Sequence, residues 1–338
     1  MSSILKLMDV AAKPDTGHRP TVRLNFSDRI FRTVAYTSGV IVLAIMSLVG
    51  LFLTFRAAQA ISRSGFKFFT NQVWEPSTGT FGIAGVLTGT LLIGFFAISL
   101  AVPFAIATAL YISEYAPARL KRTFISLVDM MAAVPSVVYG LWGAFFLQDH
   151  IVSTMNWIAT YFGWIPFLSV PNHDPRDPLA TLADFKASTF IAGMVVAMMV
   201  TPIATSVMRE AFSQAPAGER EGAYALGATR WGMIRSVVLP YGRGAIIGGT
   251  MLGLGRALGE TITVTMIISP VFVIQPHILA TGANSVSALI ALHYNDSGAH
   301  ALSAVFAAGL ALFLLTMGIN FLAAMIVARS RSGAGSEG

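Results

Sequence analysis

The chain has 338 residues, of which 55% are hydrophobic and only 11% charged, less than half the charged share of an ordinary soluble domain. That composition cannot cover a water-soluble globule with polar groups, and the lack of cysteine excludes a disulfide framework and thiolate metal sites or nucleophiles. The net charge of +6 is what loops that set membrane topology require, without invoking nucleic acid. Residues 1–30 are too polar and basic for a cleavable signal peptide and read as a cytoplasmic tail, with the first span serving as an uncleaved targeting signal.

Six apolar blocks follow, at 31–55, 81–112, 124–147, 188–208, 244–269 and 301–328, each near the 20 or so residues that cross a bilayer. Pro103, Pro135 and Pro202 interrupt the second, third and fourth, where neighbouring helices can take over the freed carbonyls. Six spans put both termini on one side. With that side cytoplasmic, the inner segments hold Lys6, Lys13, Arg19, Arg23, Arg29 and Arg32 at the N-terminal end, then Arg119, Lys121, Arg122, Arg209, Arg220, Arg230, Arg235, Arg243, Arg329 and Arg331. Only Arg56, Arg63, Lys67, Arg176 and Lys186 lie outside, and this asymmetry sets the orientation. The fold class expected is therefore an all-α, multi-pass protein of the cytoplasmic membrane.

The longest outer loop, about 148–187, opens with MNWIATYFGWIPFL and continues into the polar run PNHDPRDP at 171–178. Its first half reads as a short helix at the outer interface or plugging the bundle, with Trp157, Tyr161 and Trp164 at headgroup level. Residues 329–338 read as a disordered cytoplasmic tail. Catalytic signatures are missing: there is no Walker A loop, no HExxH and no GxSxG, and the six histidines are scattered. The pattern supports neither an enzyme nor a metal site.

Two features carry function. The first is the inner loop 210–242, EAFSQAPAGEREGAYALGATRWGMIRSVVLPYG. Pro216 opens a helix that stops at Gly227, a left-handed C-cap; Thr229 caps a second helix, and Pro240 halts it before the next span. The result is a helical hairpin with Glu219, Arg220, Glu221, Arg230 and Arg235 beside Ala223, Leu226, Trp231 and Ile234, suited to docking in a partner's groove. The second is Arg256, about 18 Å into the fifth span when counted from Gly244, with Glu260 one turn on and on the same face of a continuous helix. A charge at that depth needs a partner or water, and a forked guanidinium suits an oxyanion. Three Gly-x-x-x-Gly pairs, Gly244/Gly248, Gly249/Gly253 and Gly255/Gly259, allow close helix approach, and Thr261, Thr263 and Thr265 carry hydroxyls toward a pathway or back to their own backbone. Asp129 reads as a solvated or Arg122-capping carboxylate rather than a substrate ligand.

Glu221-x-Ala223, Gly227, then Val237-x-Leu239-Pro240 resembles the EAA loop of ABC-importer permeases, with Gly222 and Val237 departing from the family's alanine and isoleucine. SEYAP (113–117), VPSVVYGLWG (134–143), GLGRALGET (253–261) and DRIFR (28–32) further resemble the PstC family of phosphate-importer permeases. The resemblance implies a type I ABC-importer transmembrane domain with six helices and ATPase coupling through Glu221, Ala223, Gly227, Arg230, Leu239 and Pro240. It also implies a heterodimer with a PstA-like subunit, two PstB-like ATPases that hold ATP and Mg, and a PstS-like binding protein outside. No cofactor is expected in this chain itself. A secondary transporter protonating at Glu260, a channel gated by the Arg256–Glu260 pair, and an importer of another tetrahedral oxyanion are the alternatives; the hairpin argues against the first, and the lack of a filter-like sequence against the second.

Overall fold

The structure, a computed structural model, describes residues 26–75, 78–171, 181–295 and 298–332. The tail 1–25, residues 172–178 of the proline-rich run and residues 333–338 lie outside the described residues. The chain divides after Val49, and Gly50 onwards forms a compact unit.

The first helix, α1 (Phe26–Ser64), is followed by a single turn, α2 (Lys67–Thr70), and a small antiparallel ribbon. In the ribbon, Trp74 of β1 (Trp74–Glu75) faces Phe81 of β2 (Thr80–Phe81). Helix α3 (Ala84–Leu110) closes in a π turn, Tyr111–Tyr115. It is followed by α4 (Ala118–Ala133), then α5 (Ser136–Trp142), which runs through a second π turn, Gly143–Leu147, into α6 (Gln148–Phe162). Next come α7 (Thr189–Ser213), α8 (Ala217–Ala225) and α9 (Arg230–Met233). A third π turn, Ile234–Val238, joins α9 to α10 (Leu239–Gly259). The chain ends with α11 (Ile262–Ile267), α12 (Val286–His293) and α13 (Ala299–Ser332).

Five of these helical stretches are long and apolar enough to cross a membrane, and α4 with α5–α6 makes a sixth, broken span if counted as one. That third apolar block is not a straight crossing, because the two arms meet at 86°. Pro135 forces Val134 into an extended conformation (φ −63°, ψ 128°), which ends α4 outright. Pro103 and Pro202 sit instead inside continuous helices. The apolar start of the 148–187 loop is the far end of the broken span rather than a separate interfacial helix. Val152, Met155 and Ala159 of α6 are buried in the main core, while Trp157, Tyr161 and Trp164 remain exposed. The polar residues that read as the end of a span hold the returning chain: Gln148 Oε1 accepts from the Ala187 N–H at 3.1 Å, and Lys186 pairs with Asp149 at 2.6 Å. At the other end α13 continues to Ser332, four residues into the segment read as tail.

The core is built around α3 and α7. Ala97, Ala101, Ala105 and Ala109, four residues apart on one face of α3, are all fully buried. Lipid tails are as apolar as leucine, so helices in a bilayer gain mainly by close van der Waals packing, which a row of small side chains permits. A separate cluster under the hairpin gathers Leu110, Met208, Phe212, Met233, Ile234 and Val238.

Candidate functional site

Helix α10 does not run through the fifth block. It ends at Gly259, and Glu260 is extended (φ −68°, ψ 121°) before α11 begins. The expected pair one turn apart on a single helix is therefore not formed, because the helix breaks between the two residues' shared face and Glu260. Glu260 is 8% exposed. Its Oε1 accepts from the Thr263 N–H at 3.2 Å and from the Thr263 hydroxyl at 3.0 Å, capping the start of α11. The same hydroxyl reaches the Ser136 carbonyl at 3.0 Å, just past the Pro135 bend. Ser287 Oγ donates to the Glu260 carbonyl at 2.8 Å, Ser285 Oγ caps α12 by accepting from Ala288 N–H, and Thr90 Oγ1 of α3 accepts from Val286 N–H. Five elements meet at this buried polar junction.

Arg256 faces elsewhere. It is exposed and lines an open pocket of about 460 Å³ with Ile203 of α7, Met251, Leu252 and Gly255 of its own helix, and Asn320 of α13. It makes no ion pair or hydrogen bond with any described residue. An unpaired guanidinium on a membrane-crossing helix costs at least about 2.5–3.5 kcal/mol unless water or an anion meets it. The pocket thus holds an unpaired cation on α10 and a carboxamide on α13. Asn320 was not singled out by sequence reasoning; its signal was a lone carboxamide in the largely apolar final span. Ser287 was equally invisible, since its partner Glu260 lies 27 residues away; Ser285 was not singled out either, although its cap on Ala288 is local.

The threonines divide. Thr265 and Thr261 donate to backbone carbonyls of Thr261 and Gly259, and only Thr263 serves the junction. Asp129 accepts from Ser206 Oγ at 3.0 Å, tying α4 to α7 rather than capping Arg122. Among the Gly-x-x-x-Gly pairs, Gly249 and Gly253 take the close approach of Ala204, Met208 and Val200 on α7, whereas Gly244, Gly248 and Gly259 have nothing within 4 Å of a Cβ position.

The hairpin is built as its residues dictate. Gly227 has φ +82°, and the two bonds Gly227 N–H to Tyr224 O (2.9 Å) and Ala228 N–H to Ala223 O (3.0 Å) close a Schellman cap. Thr229 Oγ1 accepts from Gly232 N–H at 3.1 Å and opens α9. Pro240 does not halt the helix, in contrast to the expectation. The π turn directly before it widens the backbone where the proline lacks a donor, so the helical path runs unbroken from Arg230 to Gly259. Glu221, Tyr224, Leu226 and Trp231 are exposed, Leu226 to 91%. Ala223 and Leu239 pack toward the cluster beneath, Pro240 is exposed, and Arg230 lies over the Tyr115 ring at 5.0 Å. A β-branched residue at Gly227 meets no atom but is strained by the positive φ, by about 1–2 kcal/mol. Gly227→Val is therefore expected to leave membrane insertion intact while weakening co-purification with an ATPase subunit; unchanged co-purification and uptake would refute the docking role.

Residues 101–332 match the family described as binding-protein-dependent transport system inner membrane component. The chain is similar to the phosphate transport system permease protein PstC of Pasteurella multocida (strain Pm70), with 34% identity covering 91% of this chain and 95% of that one. It is similar also to PstC of Mycobacterium leprae (strain TN), with 37% identity over 88% and 92%. Among solved structures, a bacterial alginate ABC transporter in complex with an alginate pentasaccharide-bound periplasmic protein superposes with a TM-score of 0.57 at 16% identity, covering 89% and 95%. The shared fold is that of a type I importer transmembrane subunit. With its broken spans, projecting hairpin and these relatives across nearly its whole length, the chain belongs to the binding-protein-dependent transport permeases and, within them, to the PstC family.

Proposed function

We infer that this chain is the membrane subunit through which an ATP-driven importer passes inorganic phosphate. The observation that carries the reading is the unpaired Arg256 in the pocket lined by α7, α10 and α13: a forked donor without an internal carboxylate is free to take an oxyanion, and Glu260, spent on capping α11, does not compete for it. The pathway is completed by a PstA-like subunit. Of two PstB-like ATPases, holding ATP and Mg, one docks on Glu221, Leu226 and Trp231 of this hairpin and the other on the PstA-like subunit, and a PstS-like protein delivers phosphate from outside. Closure of the ATPases on the hairpin moves α10, since the helical path from α9 is continuous, and this opens the path outward; hydrolysis resets it inward.

The test is phosphate uptake in cells lacking other phosphate importers and supplied with the four subunits. Uptake should track ATP and survive collapse of the proton gradient. Loss of uptake on adding a protonophore at constant ATP would instead make Glu260 a proton carrier in a secondary transporter. The orientation has its own test in this cysteine-free chain. A cysteine at the exposed Ser213, beside the hairpin, should react with an impermeant thiol reagent in inverted vesicles and not in intact cells; labelling in intact cells would reverse the topology.

A further inference from the structure

The SEYAP segment has no task in the reading above, and the structure gives it one. Its Glu114 lies in the π turn that ends α3, 106 residues from its partner Arg220 in α8. Arg220 NH1 donates to Glu114 Oε2 at 3.3 Å, Arg220 NH2 stands 3.2 Å from Oε1, and the same NH2 donates to the Phe212 carbonyl at 2.6 Å. The side chains are 5% (Glu114) and 22% (Arg220) exposed. The next residue of the turn, Tyr115, takes the Arg230 guanidinium of α9 over its ring at 5.0 Å. Both arms of the hairpin thus grip consecutive residues of one π turn.

That turn is the end of a long lever. Helix α3 is packed along α7 by its alanine row, and at Gly94 it abuts α10 so closely that a Cβ would stand 2.7 Å from Leu258 Cδ2. Leu258 lies between Arg256 and Glu260, and Thr90, one turn earlier on α3, holds the start of α12. The pair is not tuned for stability, since the Arg220 Nε–H is buried without an acceptor among the described residues, and an apolar pair of like volume would hold the elements together as well. What the guanidinium adds is fixed orientation, because its two amino groups donate to Glu114 Oε2 and to the Phe212 carbonyl, while Glu114 Oε1, 3.2 Å away, is buried without a hydrogen bond among the described residues.

We propose that the Glu114–Arg220 ion pair is a positioning link that makes α3 follow the coupling hairpin, so that movement imposed by the ATPase reaches the Glu260 junction from two sides. One route is α10, continuous with the hairpin; the other is α3, which meets the hairpin through the apolar cluster around Leu110 and, at its π turn, through this pair and the Arg230–Tyr115 contact, the directional part of the join. The proposal rests on the importer reading. Without the link α10 still moves but α3 lags, and ATP is hydrolysed with little transport.

The experiment measures phosphate transported per ATP hydrolysed by the complete importer in proteoliposomes, with assembly checked by co-purification. Glu114→Gln and Arg220→Gln should each keep assembly and binding-protein-stimulated ATP hydrolysis, and lower that ratio by about tenfold. Replacing both residues with cysteine should lower it likewise, and bridging them with a short bismaleimide should restore it, because a tether supplies what the ion pair supplied. A normal ratio in Glu114→Gln, or no recovery on bridging, overturns the link. If Glu114→Gln does not assemble, Arg220→Lys decides: it keeps the charge but loses the fork, so a reduced ratio supports the link and a full one refutes it. If the unaltered importer moves no phosphate, the importer reading itself fails, whatever the variants do.

Discussion

Arg256→Gln is expected to reduce phosphate uptake by at least about tenfold while the complex assembles, since a charge-assisted contact to an anion is worth roughly 1.5–3 kcal/mol and glutamine offers only a neutral donor. The residue is exposed to its pocket and bonded to nothing in the described chain, so its replacement leaves no orphaned partner. Glu260→Gln is a different lesion. The amide oxygen still accepts from Thr263, so the cap on α11 survives, and a moderate loss is expected. Because the two residues do not pair, removing both charges should give uptake no better than Arg256→Gln alone. Substantial recovery in the double variant would mean that the two neutralise each other at some stage of transport, and that Arg256 need not meet phosphate.

Gly89→Ala is expected to cost the most in assembly. A Cβ there would stand 2.1 Å from the Asn284 carbonyl oxygen, and one at Gly85 2.0 Å from that of Phe272. Both obstacles are main chain and cannot rotate aside, so the strand-like passage between α11 and α12 must shift. Overpacking of this kind costs about 1–3 kcal/mol or more, and it would displace Ser287 from the Glu260 carbonyl and disturb the Ser285 cap on α12. Thermal unfolding of the purified complex should come at a lower temperature than for Gly218→Ala, where nothing lies within 4 Å. Equal melting temperatures would show that the passage yields freely.

What was legible in the chain and what was not divides along physical lines. Apolar length, the Gly227 turn and the Thr229 cap are local, and each is determined by a handful of neighbouring residues. The break at Glu260 is only partly local, since its cap on Thr263 is three residues away but the rest of the junction is not. The Thr263 hydroxyl and the Ser136 carbonyl that meet there come from segments 127 residues apart, and nothing in GLGRALGET announces that its glutamate will turn away from its arginine. The bend at Pro135 was visible as a proline but not as an 86° turn, because a proline in an apolar block is compatible with a continuous helix, as Pro103 and Pro202 demonstrate. Pro240 went the other way: the proline suggested a stop, and a π turn absorbed it. Arg220 read as one more charge on a docking face, and only tertiary structure shows it turned inward onto Glu114.

The central claim, that phosphate passes the Arg256 pocket, is tested most directly by chemical protection. Leu252 lines that pocket and is 53% exposed, and the chain has no cysteine of its own. In the assembled importer carrying Leu252→Cys, phosphate-loaded binding protein and ATP should slow labelling by a small thiol reagent. Sulfate should not, and the protection should vanish when Arg256→Gln is added. Labelling that proceeds at one rate with and without phosphate, or protection that persists without the arginine, would contradict the claim.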